Sequence, residues 1–287
     1  MSISAELGEI REVGLDQGTI RYRERGSGPV ILFVHGVLVN GDLWRKVVPL
    51  LADDFRCIAP DWPLGAHEMA LDPDADASPR GVAAMVAEFI ETVGLDDVTL
   101  VGNDTGGAIC QLVIARHPER IGRLVLTNCD AYENFLPALI RPLQWAARLP
   151  GFGRLLALTM RWLPTRRQVF WTLSNSAMDR QVTDAAVGPL ASNPAVRRDA
   201  VTFLKRISAA DTQAAAEAFG GFQRPVLLAW GADDRLYFSR KYAERLAHDF
   251  PNSRLEYVDH SRTFVPEDQP RKLAELIRGF LLETKSA

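Results

Sequence analysis

Cysteine is scarce in this 287-residue chain, with only Cys57, Cys110 and Cys129. The number is odd, the spacing matches no metal motif, and each residue sits in an apolar run. That excludes a disulfide scaffold and a cysteine zinc site, and three buried free thiols are expected. They suit a reducing compartment. An excess of positive charge is also missing. Lys and Arg number 33 against 36 Asp and Glu, a net charge of −3. Nucleic-acid binders usually carry a basic footprint, so no nucleic-acid partner is expected. No stretch approaches the ~18 uninterrupted apolar residues of a spanning helix, and no stable membrane insertion is expected. Met1–Ile10 has neither a basic n-region nor an apolar h-region, and a cytoplasmic location is expected. No repeat or low-complexity tract is present; Asp72–Asp76 is a short acidic loop. Nothing implies a metal or another cofactor.

What is there is alternation. Arg11–Asp16 and Thr19–Glu24 flank a Gln17-Gly18 turn and predict a hairpin. Val30–Val34 is a continuous β-rich apolar run, as expected of a strand buried on both faces. Asp42–Leu51 reads as helix, Arg56–Pro60 as strand, Pro79–Thr92 as helix, Val98–Val101 as strand, Thr105–His117 as helix and Leu124–Thr127 as strand. Strands alternating with helices imply a parallel sheet with crossovers. From Ala131 to Gly221 the pattern is helical only, broken by Pro137, Pro142, Pro150, Pro164, Pro189 and Pro194. Alternation resumes with a strand at Val226–Trp230, a helix at Ser239–Asp249, a strand at Leu255–Val258 and a helix at Gln269–Leu282. The expected organisation is a core of residues 1–130 and 222–287 with a helical cap, residues 131–221, inserted into it. Within the insert, Leu136–Leu163 is leucine-rich and carries Arg141, Arg148, Arg154 and Arg161. Such a stretch can lie on a membrane. The expected alternative is a lid helix pair whose apolar face covers a pocket while its arginines stay in water.

Three motifs carry chemistry. Gly102-Asn103-Asp104-Thr105-Gly106-Gly107 lies between a strand and a helix, the context of a nucleophile elbow. The tight turn thrusts Asp104 forward, and the helix start behind it supplies N–H groups. Taken alone, Asp104 also fits an ordinary helix N-cap. His35-Gly36-Val37 follows the strand Val30–Val34. Trp230-Gly231-Ala232-Asp233-Asp234 follows the strand at Val226.

Together these motifs resemble the α/β-hydrolase superfamily across nearly the whole chain. The resemblance implies an α/β fold with a mostly parallel eight-stranded sheet flanked by helices and a cap inserted after strand 6. It implies an oxyanion hole from the N–H groups of Val37 and Thr105, and Asp234 as the acid. An aspartate in the elbow is similar to the haloalkane dehalogenase and epoxide hydrolase branch. A carboxylate with pKa near ~4 is ionised at neutral pH and can attack carbon without a base. The ester it forms must then be hydrolysed, which needs a general base.

That base is where the chain departs from the branch. Members usually carry histidine just before a phenylalanine in the C-terminal loop. In His260-Ser261-Arg262-Thr263-Phe264, alignment on Phe264 and Pro270 puts Thr263 there, and threonine is no base at neutral pH. His260 on the same loop and His67 are the candidate replacements. The residue after the nucleophile is Thr105 rather than a halide-holding Trp or Arg. Trp145, Trp162 and Trp171 are the cap indoles that could act instead, and Trp171 is placed in the substrate pocket with His35, Asn103 and Asp130. The cap holds a single tyrosine, Tyr132, which disfavours an epoxide hydrolase of the usual kind. The leading expectation is a hydrolase acting on a small apolar molecule, with Asp104, Asp234 and His260 catalytic. The alternatives are a lyase, isomerase or cyclase using Asp104 as a proton shuttle, or a ligand-binding protein with a degenerate triad.

Overall fold

The computed structural model describes residues 2–285. Its sheet has eight strands: β1 (Glu9–Leu15), β2 (Gly18–Arg25), β3 (Val30–Val34), β4 (Arg56–Pro60), β5 (Val98–Asp104), β6 (Ile121–Cys129), β7 (Val226–Gly231) and β8 (Ser253–Val258). Their order is β1-β2-β4-β3-β5-β6-β7-β8. Only β2 is antiparallel to its neighbours, β1 and β4; the other pairs run parallel. The eight-stranded, mostly parallel α/β-hydrolase architecture expected from the sequence is therefore present. β5, β6 and β7 are buried along nearly their whole length, which is why stretches such as Leu124–Leu126 and Val226–Trp230 read as apolar runs rather than alternating ones.

Six helices connect β6 to β7: Arg141–Ala146, Phe152–Arg161, Leu163–Leu173, Arg180–Ser192, Pro194–Arg206 and Ala209–Ala216. Several prolines that looked like breaks in the sequence are starts. Pro142, Pro164 and Pro194 occupy the first turn of their helices, where a missing N–H costs nothing. Pro189 lies inside the helix Arg180–Ser192.

The helix expected at Asp42–Leu51 is instead a 3₁₀ turn, Gly41–Trp44, followed by a single helical turn, Val48–Leu51. The Asp42 carboxylate is one reason. It accepts the Ile3 and Ser4 N–H groups at 2.8 and 2.9 Å, holding the segment against the N-terminal residues. All three cysteines are buried and unpaired.

Candidate active site

Asp104 ends β5, and the helix Thr105–Arg116 begins at the next residue. Its backbone sits at φ 56°, ψ −134°, which side chains other than glycine rarely adopt. Such a conformation costs on the order of 1–3 kcal/mol and persists only where the surroundings enforce it. Two glycines make room for the turn. A Cβ at Gly106 would lie 2.2 Å from the Val34 carbonyl oxygen at the end of β3. A Cβ at Gly36 would lie 2.2 Å from Asp104 Oδ2, so the backbone after β3 passes directly over the carboxyl group. The Thr105 N–H lies near enough to that carboxyl group to favour its charged form. Val37 follows Gly36 and is partly accessible, as Asp104 is.

Two further carboxyl groups stand nearby. Asp130 follows β6 and is wholly buried; its Oδ2 accepts the Thr105 hydroxyl at 3.1 Å, and its Oδ1 has no hydrogen-bond partner among the described residues. Asp234 follows β7. Its Oδ1 accepts the N–H groups of Tyr237 and Phe238 at 3.0 and 3.3 Å. Its Oδ2 accepts the Thr263 hydroxyl at 2.6 Å and the Asn128 amide at 3.3 Å. Thr263 is buried, and its carbonyl accepts the Asn103 side-chain amide at 2.7 Å.

Asn103 also donates to Thr127 Oγ1 at 2.7 Å. It thus ties the elbow to β6 and to the Thr263 loop from beneath, and it lies within the scaffold rather than facing a ligand. Asn128, which sequence reasoning passed over, does similar work. Its Oδ1 accepts the Gly231 N–H at 2.5 Å, and its amide reaches both the Gly231 carbonyl and Asp234. The sequence signal for it was an amide beside Thr127 at the end of a buried strand.

The chain matches the model of the family described as alpha/beta hydrolase fold over residues 29–270. It belongs to the α/β-hydrolase fold family. Haloalkane dehalogenase 2 of Mycobacterium tuberculosis is 28% identical over 94% of this chain and 93% of that one. An uncharacterized hydrolase of Bacillus subtilis, YugF, is 28% identical over 95% and 97%. The crystal structure of haloalkane dehalogenase DbeA from Bradyrhizobium elkani superposes with a TM-score of 0.80 at 21% identity, covering 97% of this chain and 99% of that one. These relatives support a hydrolase.

The histidines lie apart from these carboxyl groups. His35 is sealed in the interior. Its Nδ1 bonds the Gly36 carbonyl at 2.9 Å, and its Nε2 accepts the Trp62 N–H at 2.9 Å. Burial pushes its pKa down to about 4, so it is neutral and fixes the turn that carries Val37. His67 is equally buried, with Nδ1 accepting the Gly65 N–H and Nε2 3.2 Å from Asp199 of the helix Pro194–Arg206. His260 is exposed in the turn after β8, at φ 55°. Among the described residues no histidine bonds to Asp104, Asp130 or Asp234. The structure thus brings Asp104, Thr105, Asp130 and Asp234 together, and leaves His260 and His67 outside.

Trp171 is also outside. It is largely exposed, with its carbonyl accepting from Arg262 and its ring beneath the Arg262 guanidinium. It lines a groove of about 1000 Å³ formed by residues 163–183, which Asp104 does not line. Trp145 and Trp162 are exposed as well.

Burial favours the protonated form of Asp104 and Asp130. Burial, with a smaller contribution from Asp234, pushes Asp104 up to about 7 against the opposing Thr105 N–H. Burial and the charge of Asp104 push Asp130 well above the usual carboxylate range. The physical arrangement is one partly ionised carboxyl at the elbow, backed by a neutral one.

Proposed function

We propose that this α/β hydrolase uses Asp104 as a nucleophile on a small apolar substrate under the helical insert acting as a cap, in dehalogenase-like chemistry. The observation that carries the reading is the conformation of Asp104: an aspartate held at φ 56° where a strand turns into a helix. In the first step, a carboxylate oxygen attacks carbon. The carbon–halogen bond breaks, halide leaves with the electron pair, and an alkyl ester of Asp104 remains. In the second step, water attacks the ester carbonyl and the carbon–oxygen bond to the alkoxide breaks; one water proton passes to the departing alkoxide to give the alcohol, and the other is released to bulk water, restoring the Asp104 carboxylate. The N–H groups of Thr105 and Val37 steady the oxygen that becomes negative in that step.

Thr263 occupies the place where a histidine would join Asp234 to this water. Its hydroxyl is spent on Asp234 and takes up no proton. The second step is therefore the slow one. The proton-shuttle reading has its own support in the raised pKa of Asp104, which suits exchange of a proton near neutral pH.

Intact-mass measurement after incubation with a bromoalkane, an epoxide or an ester separates these readings. Alkylation that accumulates with the bromoalkane and maps to Asp104 is the expected result. Neither adduct nor product, or an adduct undiminished in Asp104→Asn, would overturn the nucleophile reading. Product without adduct, lost in Asp104→Asn and formed with no water incorporated, would favour the proton shuttle.

A further inference from the structure

The insert carries a surface that chemistry at Asp104 does not use. Between Glu133 and Asp179 the chain has six arginines, at 141, 148, 154, 161, 166 and 167, and no lysine, aspartate or glutamate. That segment is strongly positive within a chain of net charge −3. Arg166 is buried and paired with Asp184. Arg148, Arg154, Arg161 and Arg167 are exposed and make no ion pair among the described residues.

The same segment exposes its large apolar side chains. Scattered exposed leucines are ordinary on any protein. Here they are concentrated: of 13 exposed large hydrophobics among the described residues, nine lie between Leu139 and Trp171. Trp145, Trp162 and Trp171 are 72%, 66% and 58% exposed, whereas Trp44, Trp62 and Trp230 are fully buried. The helix Phe152–Arg161 shows why the inner face does not account for them. Phe152, Leu156, Ala157 and Met160 are buried, while Leu155 and Leu158 stand outside, flanked in sequence by Arg154 and Arg161. The expected lid helix keeps its arginines in water but turns only part of its apolar side inward.

We propose that this face of the insert docks on the surface of an anionic phospholipid bilayer. Leucine and tryptophan side chains enter the headgroup–acyl boundary, where tryptophan is favoured, and the arginines meet lipid phosphates. No helix among the described residues is long and apolar enough to cross a membrane, so the contact is lateral. Charge decides against a second copy of this chain as the occupant, because a two-fold contact would set the same uncompensated arginines against each other.

Co-sedimentation of the full chain with vesicles of phosphatidylcholine, with and without phosphatidylglycerol, tests the proposal. Binding is expected only with phosphatidylglycerol and is expected to fall as salt rises. Tryptophan emission should shift to the blue on binding, and the Trp145→Phe/Trp162→Phe variant should bind with a smaller shift. Each arginine at the surface is worth about a fivefold change in affinity, so Arg154→Gln/Arg161→Gln should weaken binding roughly 25-fold. Leu155→Ser/Leu158→Ser should also release the protein. Both changes lie on exposed positions, and unchanged thermal unfolding confirms that the fold is intact. Absence of binding to phosphatidylglycerol vesicles would overturn the proposal. So would binding unaffected by either double variant, or light scattering that shows a dimer dissolved by the leucine substitutions without any vesicle binding.

Discussion

Replacing Asp104 with asparagine should stabilise the folded protein at neutral and alkaline pH. The side chain keeps its shape. What disappears is a charge in a desolvated place. Folding raises the Asp104 pKa from 3.8 to about 7. The folded state therefore holds a proton that the unfolded chain has released throughout that interval. The parent is relieved of this penalty near pH 4, meets it progressively as pH rises, and carries it in full above pH 7. A shift of about three units at ~1.4 kcal/mol each sets an upper bound near 4 kcal/mol. Because Asp104 remains partly accessible, solvent screening reduces this to about 2 kcal/mol. Urea unfolding of both proteins at several pH values measures it. The stability difference should be near zero at pH 4 and grow to its plateau above pH 7, with unchanged urea dependence. A difference that is independent of pH, or a less stable variant at pH 8, would refute the assignment of a buried, proton-retaining carboxyl at the elbow.

Other substitutions bear on the surrounding framework. Thr263→Val removes the 2.6 Å donor to Asp234 while keeping the shape, and should lower stability by about 1–3 kcal/mol in thermal or urea unfolding. Gly36→Ala would press a methyl group onto the Asp104 carboxyl, 2.2 Å from Oδ2 without relaxation. Bromoalkane alkylation of Asp104, followed by intact mass, should slow about a hundredfold as the carboxylate is displaced. His260→Ala should leave stability within about 0.5 kcal/mol and the decay of the Asp104 ester unchanged, since the residue is exposed and remote from the carboxyl group in bonding terms. Slower ester decay in that variant would make His260 the missing base.

The order of strands and helices and the tight turn at Asp104 are local matters, and the sequence by itself determined them. Gly102–Gly107 predicts a turn because only small residues tolerate its backbone, and continuous apolar runs such as Val30–Val34 predict strands covered on both faces. The expectation that Thr263 stands where a histidine would came from the sequence alone, with Phe264 and Pro270 as anchors. Tertiary structure decided the partners. Asn103 and Asn128 became struts because β5, β6, β7 and the Thr263 loop converge around them, which residue type alone does not reveal. The same convergence separated Asp104 from the histidines: His35 and His67 had both ring nitrogens engaged elsewhere, and His260 turned outward. The proton affinity of Asp104 was decided there as well, because desolvation and the field of Asp234 act through space between residues far apart in the chain. Likewise, the arginines and leucines of the insert were plain in sequence, but only the packing of its helices determined which leucines face the core and which face out.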